Sequence, residues 1–222
     1  MGIAENIKRL KAEMPEYVKL VAVSKFHPAE MIMEAYDAGQ RCFGESRVQE
    51  FLQKEASLPK EIEWHFIGHL QTNKVKQIIG KTRLIESVDS EKLLTLVDTE
   101  SEKNGIVTNV LLQVHVAMEE TKFGFFPDEL ITYFRERKFE RLKSTKICGI
   151  MGMASNTDDE ARIRGDFNKI NAIFSEIREE YGKEMPEFRY LSMGMSGDWP
   201  IAIEEGANII RVGSAIFGER NY

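Results

Sequence analysis

Val18-Lys19-Leu20-Val21-Ala22-Val23-Ser24-Lys25-Phe26-His27-Pro28 decides the fold of this chain. Its first positions are mostly apolar and β-branched, which suits a strand covered on both faces. The strand ends on an amine, Lys25, and turns at once toward Pro28. No glycine follows it. A doubly wound open sheet would usually carry a Gly-rich dinucleotide fingerprint at this point. The segment therefore favours the other common way of covering a parallel sheet with helices, a closed barrel. Lys25 has two readings on this segment alone. It ends a strand and reaches water, as most lysines do. Or it is held against apolar surface, which lowers its pKa and leaves a neutral amine able to attack aldehydes in Schiff-base chemistry.

The rest of the chain repeats this rhythm. Short apolar runs predict strands over about 18–25, 41–45, 62–68, 83–88, 108–116, 147–153, 188–193 and 209–214, with amphipathic stretches between them. Pro28 is read as the first residue of a helix, with Met31, Ile32, Ala35 and Tyr36 inward and Gly39 as its stop. Ser90 begins another, with Leu93, Leu94 and Val97 inward. A long helix from Thr157 or Asp158 toward Tyr181 carries Phe167, Ile170, Ile173, Phe174 and Ile177 on one stripe, and Gly182 stops it. About eight strands alternating with helices imply a parallel sheet with right-handed crossovers. The expected class is α/β, a single (β/α)8 TIM barrel occupying residues 1–222 as one domain.

Composition narrows the partners. The 222 residues are 42% hydrophobic and 30% charged, ordinary for a soluble globular protein with room for a large core. A formal net charge of −6 argues against a nucleic-acid partner. No run of about 18 apolar residues predicts a membrane span. The stretch before Lys19 mixes charges with apolar residues at helical spacing and lacks the apolar middle of a signal peptide. Cys42 and Cys148 both fall in predicted strands, which fits a reducing cytoplasm better than a disulfide framework.

In a barrel, function sits at the carboxyl ends of the strands. Predicted strand seven runs into Leu191-Ser192-Met193-Gly194-Met195-Ser196-Gly197-Asp198 and then a helix over 199–205. Strand eight ends Arg211-Val212-Gly213-Ser214-Ala215-Ile216-Phe217-Gly218. Gly213 permits close backbone approach, and Ser196 and Ser214 offer hydroxyls. Phosphate sites after strands seven and eight recur in this fold. Two ordinary turns, with Ser196 serving as a helix cap, are the plainer alternative. Strand one neighbours strand eight once the barrel closes, so an amine and a phosphate cup would meet one ligand. A phosphorylated aldehyde fits, and pyridoxal 5′-phosphate (PLP) is the common one. Arg211 lies two residues before Gly213 on the same strand face, where it could donate to the ring nitrogen. A guanidinium there keeps that nitrogen unprotonated.

Other features carry less. His65 and His69 have the spacing of two zinc ligands on a helix, but they fall on a strand end and turn without the intervening Glu, and no metal is expected. The basic stretch 135–146 reads as a solvated helix face, with a partner or RNA surface as the alternative. Met151, Met153, Met193 and Met195 are pocket-lining candidates if they are not core filler.

Five strings together carry a resemblance. Ala22-Val23-Ser24-Lys25, Phe43-Gly44-Glu45, Trp64-His65-Phe66-Ile67-Gly68-His69-Leu70-Gln71, Ser192-Met193-Gly194-Met195-Ser196 and the segment from Arg211 to Gly218 resemble the YggS/PROSC family of PLP-binding proteins, also called PLP homeostasis proteins. That family is similar to the N-terminal barrel domain of bacterial alanine racemase, and the resemblance covers about residues 18–222. It implies that Lys25 bears PLP as a Schiff base. It implies phosphate contacts at Ser196, Gly213 and Ser214, a backbone amide from Met195, and Arg211 facing the pyridine nitrogen. His69 becomes a pocket-lining candidate, with a plain structural histidine as the alternative. The family's Glu-x-x-Lys-x-Gly string matches Glu119, Lys122 and Gly124, so Lys122 is a second candidate amine or a surface lysine. Three positions depart from the family's usual pattern: Ser46 stands for Asn, Ser214 for Thr and His115 for Asn.

A racemase needs two bases, one on each face of the substrate carbanion. In alanine racemase the second is a tyrosine from a β-rich domain of the partner subunit. The sequence runs eight residues past Ser214, and that domain is expected to be absent. An arginine at the ring nitrogen also weakens the cofactor as an electron sink. The expectation is therefore a monomeric, cytoplasmic PLP homeostasis protein with no catalytic residue. It would buffer PLP or deliver it to PLP-dependent apo-enzymes. A slow PLP-dependent amino-acid racemase is the alternative.

Overall fold

The structure, a computed structural model, describes residues 2–117 and 123–218. Eight strands run in chain order: β1 Lys19–Val23, β2 Cys42–Glu45, β3 Glu63–Phe66, β4 Leu84–Val88, β5 Thr108–Val114, β6 Thr145–Gly152, β7 Tyr190–Ser192 and β8 Ile209–Val212. Each pairs in parallel with the next, and β8 pairs with β1, closing a barrel. The helices are α1 Ile3–Glu13, α2 Ala29–Asp37, α3 Val48–Ser57, α4 Val75–Ile78, α5 Glu91–Lys103, α6 Pro127–Arg135, α7 Glu160–Tyr181, α8 Trp199–Glu204 and α9 Ser214–Phe217. This is the expected (β/α)8 architecture.

Strand residues alternate between two destinations. Leu20 and Ala22 of β1, Phe43 of β2, and Trp64 and Phe66 of β3 face the helices and join the outer core. Val21, Cys42, Leu84, Leu111, Cys148, Met151 and Ile209 form a second cluster inside the barrel. Both faces are buried, so the strands read as nearly continuous apolar runs. Strict alternation breaks on β4, where the β4–β5 register shifts between Ile85 and Val88, and again on β6. The β5–β6 register shifts between Val110 and Leu112. The extra residue of this bulge moves the inward set from Cys148 to Met151, with Met153 packed against it. Met193, a pocket candidate in the sequence, is buried in the outer core instead, because Ser192 takes the inward place beside it.

Strand and helix ends differ from expectation by a few residues. β1 stops at Val23, although Ser24 N–H still donates to Gly44 O at 3.1 Å, and Lys25 and Phe26 form a turn. Pro28 precedes its helix instead of opening it, with an extended ψ of 165°. The long helix starts at Glu160, where Asp159 Oδ1 accepts the N–H groups of Ala161 and Arg162 at 3.0 and 3.2 Å. Ser90 caps α5 as expected, accepting from Leu93 N–H. The basic 135–146 stretch is laced with acidic partners, Arg137 with Glu140 and Glu184, Lys138 with Glu91, and Lys143 with Glu102, as a solvated face would be. Among the described residues no helix is long and apolar enough to cross a membrane. Both cysteines are buried and free.

Gly149 sits in the β6 bulge with φ 148°, and a Cβ there would lie 1.8 Å from Tyr190 O on β7. Gly149→Ala is expected to cost more than about 2 kcal/mol in urea unfolding. Gly165, inside α7, has open space where its Cβ would be. Gly165→Ala should raise stability by about 0.5–1 kcal/mol.

Candidate functional site

Closure of the barrel assembles the rim that carries Lys25. Val21 lies opposite Arg211 and Ala22 opposite Val212 across the β1–β8 pair. One step further, a Cβ on Gly213 would stand 3.3 Å from Val23 O and 3.4 Å from Val23 Cβ, so the two backbones run close. His27, two residues past Lys25, stacks on Phe217 of α9 with ring centroids 4.9 Å apart. The Lys25 turn and the turn after β8 thus occupy the same part of the rim.

The β7 loop folds over this corner. Gly194 has φ 90°, and a Cβ would come within 2.7 Å of Ala202 Cβ and 2.9 Å of Trp199 Cα, so glycine is required there. Its carbonyl accepts from Arg211 N–H at 3.0 Å. Ser196 is thereby laid over the start of α9, and its Oγ receives the N–H groups of Gly213 at 3.2 Å and Ala215 at 3.5 Å. Two amides of one turn converging on a single oxygen is the donor arrangement an anion needs. Ser214 is exposed beside them. The residues present therefore fit a phosphate group. Met195, expected to offer its amide there, donates instead to Asp198 Oδ1 at 2.5 Å.

Arg211 is buried at the floor of this rim. Its Nη1 donates to Ser192 Oγ at 2.5 Å, and its Nη2 to Gly152 O at 3.0 Å. Ser192 in turn donates to Glu86 Oε2 at 2.6 Å. Glu86 Oε1 lies 2.5 Å from His65 Nδ1. A chain of polar groups thus crosses the barrel interior from β8 through β7 and β4 to β3. Burial lowers the Arg211 pKa from its ordinary value, and the opposing pull of Glu86 is smaller. Burial alone would raise the Glu86 carboxyl, but His65, Arg211 and Ser192 outweigh it and hold it low. Burial likewise opposes charge on His65, yet the Cys42 sulfur and Glu86 push its pKa up to about 10.

The alanine racemase N-terminal domain family matches residues 2–221. The chain is 44% identical over 205 residues to the pyridoxal phosphate homeostasis protein of Aquifex aeolicus, across 92% of this chain and 88% of that one. It belongs to the pyridoxal phosphate homeostasis protein family. A protein of the same name from Schizosaccharomyces pombe is 43% identical over 208 residues, across 91% and 84% of the two chains. Among solved structures, PipY of Synechococcus elongatus with PLP bound is similar at TM-score 0.87 and 38% identity, across 97% of this chain and all (100%) of that one. An alanine racemase of Clostridium difficile shares the fold at TM-score 0.75 and 13% identity, over 56% of its length.

The resemblance to this homeostasis family singled out further residues near the mouth. His69 lies there, with Nδ1 2.8 Å from Asp89 Oδ2 and its ring stacked on Phe123 at 3.7 Å. His115 meets the exposed Phe126 edge-on at 5.6 Å, and its Nδ1 is buried without a hydrogen-bond partner among the described residues. Gly124, from the same family string as Lys122, has φ 143°, and a Cβ would press to 2.8 Å from His115 N. Lys122 itself lies outside the described residues.

Sequence reasoning did not find Glu86 or Ser192 as supports of Arg211. Glu86 left a signal, a carboxylate inside the apolar strand Leu84-Ile85-Glu86-Ser87-Val88. Nor was a cluster near the other end of the barrel foreseen, where Cys42, Glu63 and His65 bring ligand-type atoms within 4.8 Å of one another. Glu63 is already paired with Lys19 at 2.7 Å, and His65 Nδ1 lies 2.5 Å from Glu86 Oε1. Those partners account for the cluster's charges.

The raised pKa of His65 makes stability pH-dependent. At pH below the ordinary imidazole value of 6.5, both the folded and the unfolded chain carry the proton, and the pairing contributes fully. Between 6.5 and about 10 only the folded chain keeps it, so the contribution declines, and above about 10 it is lost. Urea midpoints measured from about pH 6 to about pH 10 should fall more steeply for wild type than for His65→Gln.

Proposed function

We propose that this protein, as one domain over residues 1–222, holds PLP as a Schiff base on Lys25 and buffers it or delivers it to PLP-dependent apo-enzymes. One observation carries the reading. The β1–β8 pairing sets the Lys25 turn beside the Gly213 turn, where two amides converge on Ser196 Oγ above the buried Arg211. PipY, 38% identical, has been solved with PLP bound, which supports the same ligand here.

PLP supplies an electrophilic aldehyde and a ring that can accept carbanion charge. The chain's own groups bind and orient it. Lys25 would supply the amine that holds the aldehyde carbon. The Gly213 and Ala215 amides, on leaving Ser196 Oγ, would hold the phosphate with the Ser196 and Ser214 hydroxyls, and the Met195 amide can join them by leaving Asp198. Arg211, steadied by Ser192 and Gly152, would donate to the ring nitrogen. A guanidinium has no proton to lose and repels a pyridinium, so Arg211 would keep that nitrogen unprotonated and the ring a weak electron sink. That favours carriage over fast amino-acid chemistry. His69 borders the mouth as a contact for the bound group, and Lys122 is a second candidate amine.

The protein acts in this reading as a cytoplasmic monomer without metal, membrane or nucleic-acid partners. The net charge of −6 supports the last of these.

Protein incubated with PLP should absorb near about 420 nm, as lysine-bound PLP does. Borohydride should fix the group on Lys25, and Lys25→Ala should remove the band and weaken PLP binding. A wild-type protein that takes up no PLP refutes the reading. Deuterium entering Cα of alanine or serine in D2O faster than with free PLP would replace carriage by racemase-type turnover.

A further inference from the structure

We propose that a buried charge cluster, Glu45, Lys54 and Glu50, is a clamp that positions Lys25 by gripping the residues on either side of it. The inference rests on the reading of Lys25 as the amine that holds PLP.

Lys54 is a lysine on α3, yet it is buried rather than solvated. Its ammonium spends three donors within hydrogen-bond reach: Glu45 Oε1 at 2.7 Å, Glu50 Oε1 at 2.7 Å and Ser24 O at 2.8 Å. Glu45, fully buried at the end of β2, also accepts the Ser24 hydroxyl at 2.6 Å. Glu50 accepts the Phe26 N–H at 2.6 Å. The residue before Lys25 is therefore held by its carbonyl and its hydroxyl, and the residue after it by its amide.

The grip acts on a strained turn. Phe26 has φ 68°, a left-handed conformation that non-glycine residues rarely adopt. Strain of this kind persists only where the surroundings enforce it. Glu50 binds the amide of that residue, and Arg47 lies over its ring at 4.4 Å.

Stability alone is a poor reason for the cluster. A buried ion pair is often no better for stability than apolar side chains of the same volume. Here Glu45 Oε2 is left buried without a hydrogen-bond partner among the described residues, which adds a cost. What the cluster supplies is geometry. Lys54 and Glu50 stand one helical turn apart on α3, so a rigid helix sets the turn on which Lys25 rides. Glu45, Glu50 and Lys54 are positioning residues for the bond that Lys25 makes.

Glu50→Ala, at a half-buried site, tests this in the full chain with added PLP. The variant should fold, bind PLP about tenfold or more weakly, and show a smaller borohydride-fixed fraction at Lys25. Glu50→Gln, whose amide oxygen can still accept from Phe26, should recover most of both. Lys54→Met should behave like Glu50→Ala. If it does not fold, the Glu45→Gln/Lys54→Met double variant, free of both buried charges, is measured in its place. A purely structural cluster would lower the melting temperature and leave PLP affinity and the fixed fraction of the folded protein at wild-type values. That result for Glu50→Ala overturns the proposal. If wild type itself forms no adduct on Lys25, the reading of Lys25 fails first, and the clamp falls with it.

Discussion

Parallel pairing of β1 with β8 is the contact on which the rest of this structure depends. It joins Lys19, Leu20, Val21 and Ala22 to Ile209, Ile210, Arg211 and Val212. Without it the sheet has two edges, and the chain's first strand and last strand lie as far apart as the sheet allows. With it the barrel closes, and the Lys25 turn comes to rest against Gly213.

The interior of the barrel is unusual in being partly charged. Barrels of this class fill their centre with layers of branched apolar side chains. This one has an apolar cluster around Val21, Leu84 and Leu111, and a polar chain of Arg211, Ser192, Glu86 and His65 beside it. Removing charges from water is costly, and the cost is met only when each is paired and hydrogen-bonded. Glu86 is engaged on both oxygens, and Arg211 reaches a hydroxyl and a carbonyl as well as Glu86. The outcome is an arginine with a fixed orientation at the floor of the rim. A solvent-exposed arginine would not have one.

Two buried charge systems therefore flank the candidate site. One lies beneath Arg211 and the other behind Lys25. Both sit on neighbouring strands and helices of a closed barrel, which cannot shift singly without breaking a ladder. A group bridging Lys25 and the Gly213 turn would be held between parts that are already fixed, which lowers the entropy lost on binding.

The strand pattern was legible because each strand is covered on both faces and reads as an apolar run. The rim motifs were legible because barrel topology puts strand ends on one face, so Lys25, Ser196, Arg211 and Gly213 could be grouped by chain order alone. The sequence by itself thus determined the fold class, the family, and the residues offered at the rim. Only the tertiary structure decided which buried charges meet. Glu86 and Ser192 are 106 residues apart and bond because the barrel closes. Lys54 looks like any solvent-facing helix lysine until Ser24 and Glu45 are folded against it. Met151 turns inward through a bulge that one glycine permits. The Phe26 backbone is left-handed inside a turn closed by His27 N–H on Ser24 O, and Glu50, distant in sequence, accepts its amide. Local sequence encodes period and propensity, whereas these contacts depend on register between distant strands, which is set by packing of the whole barrel.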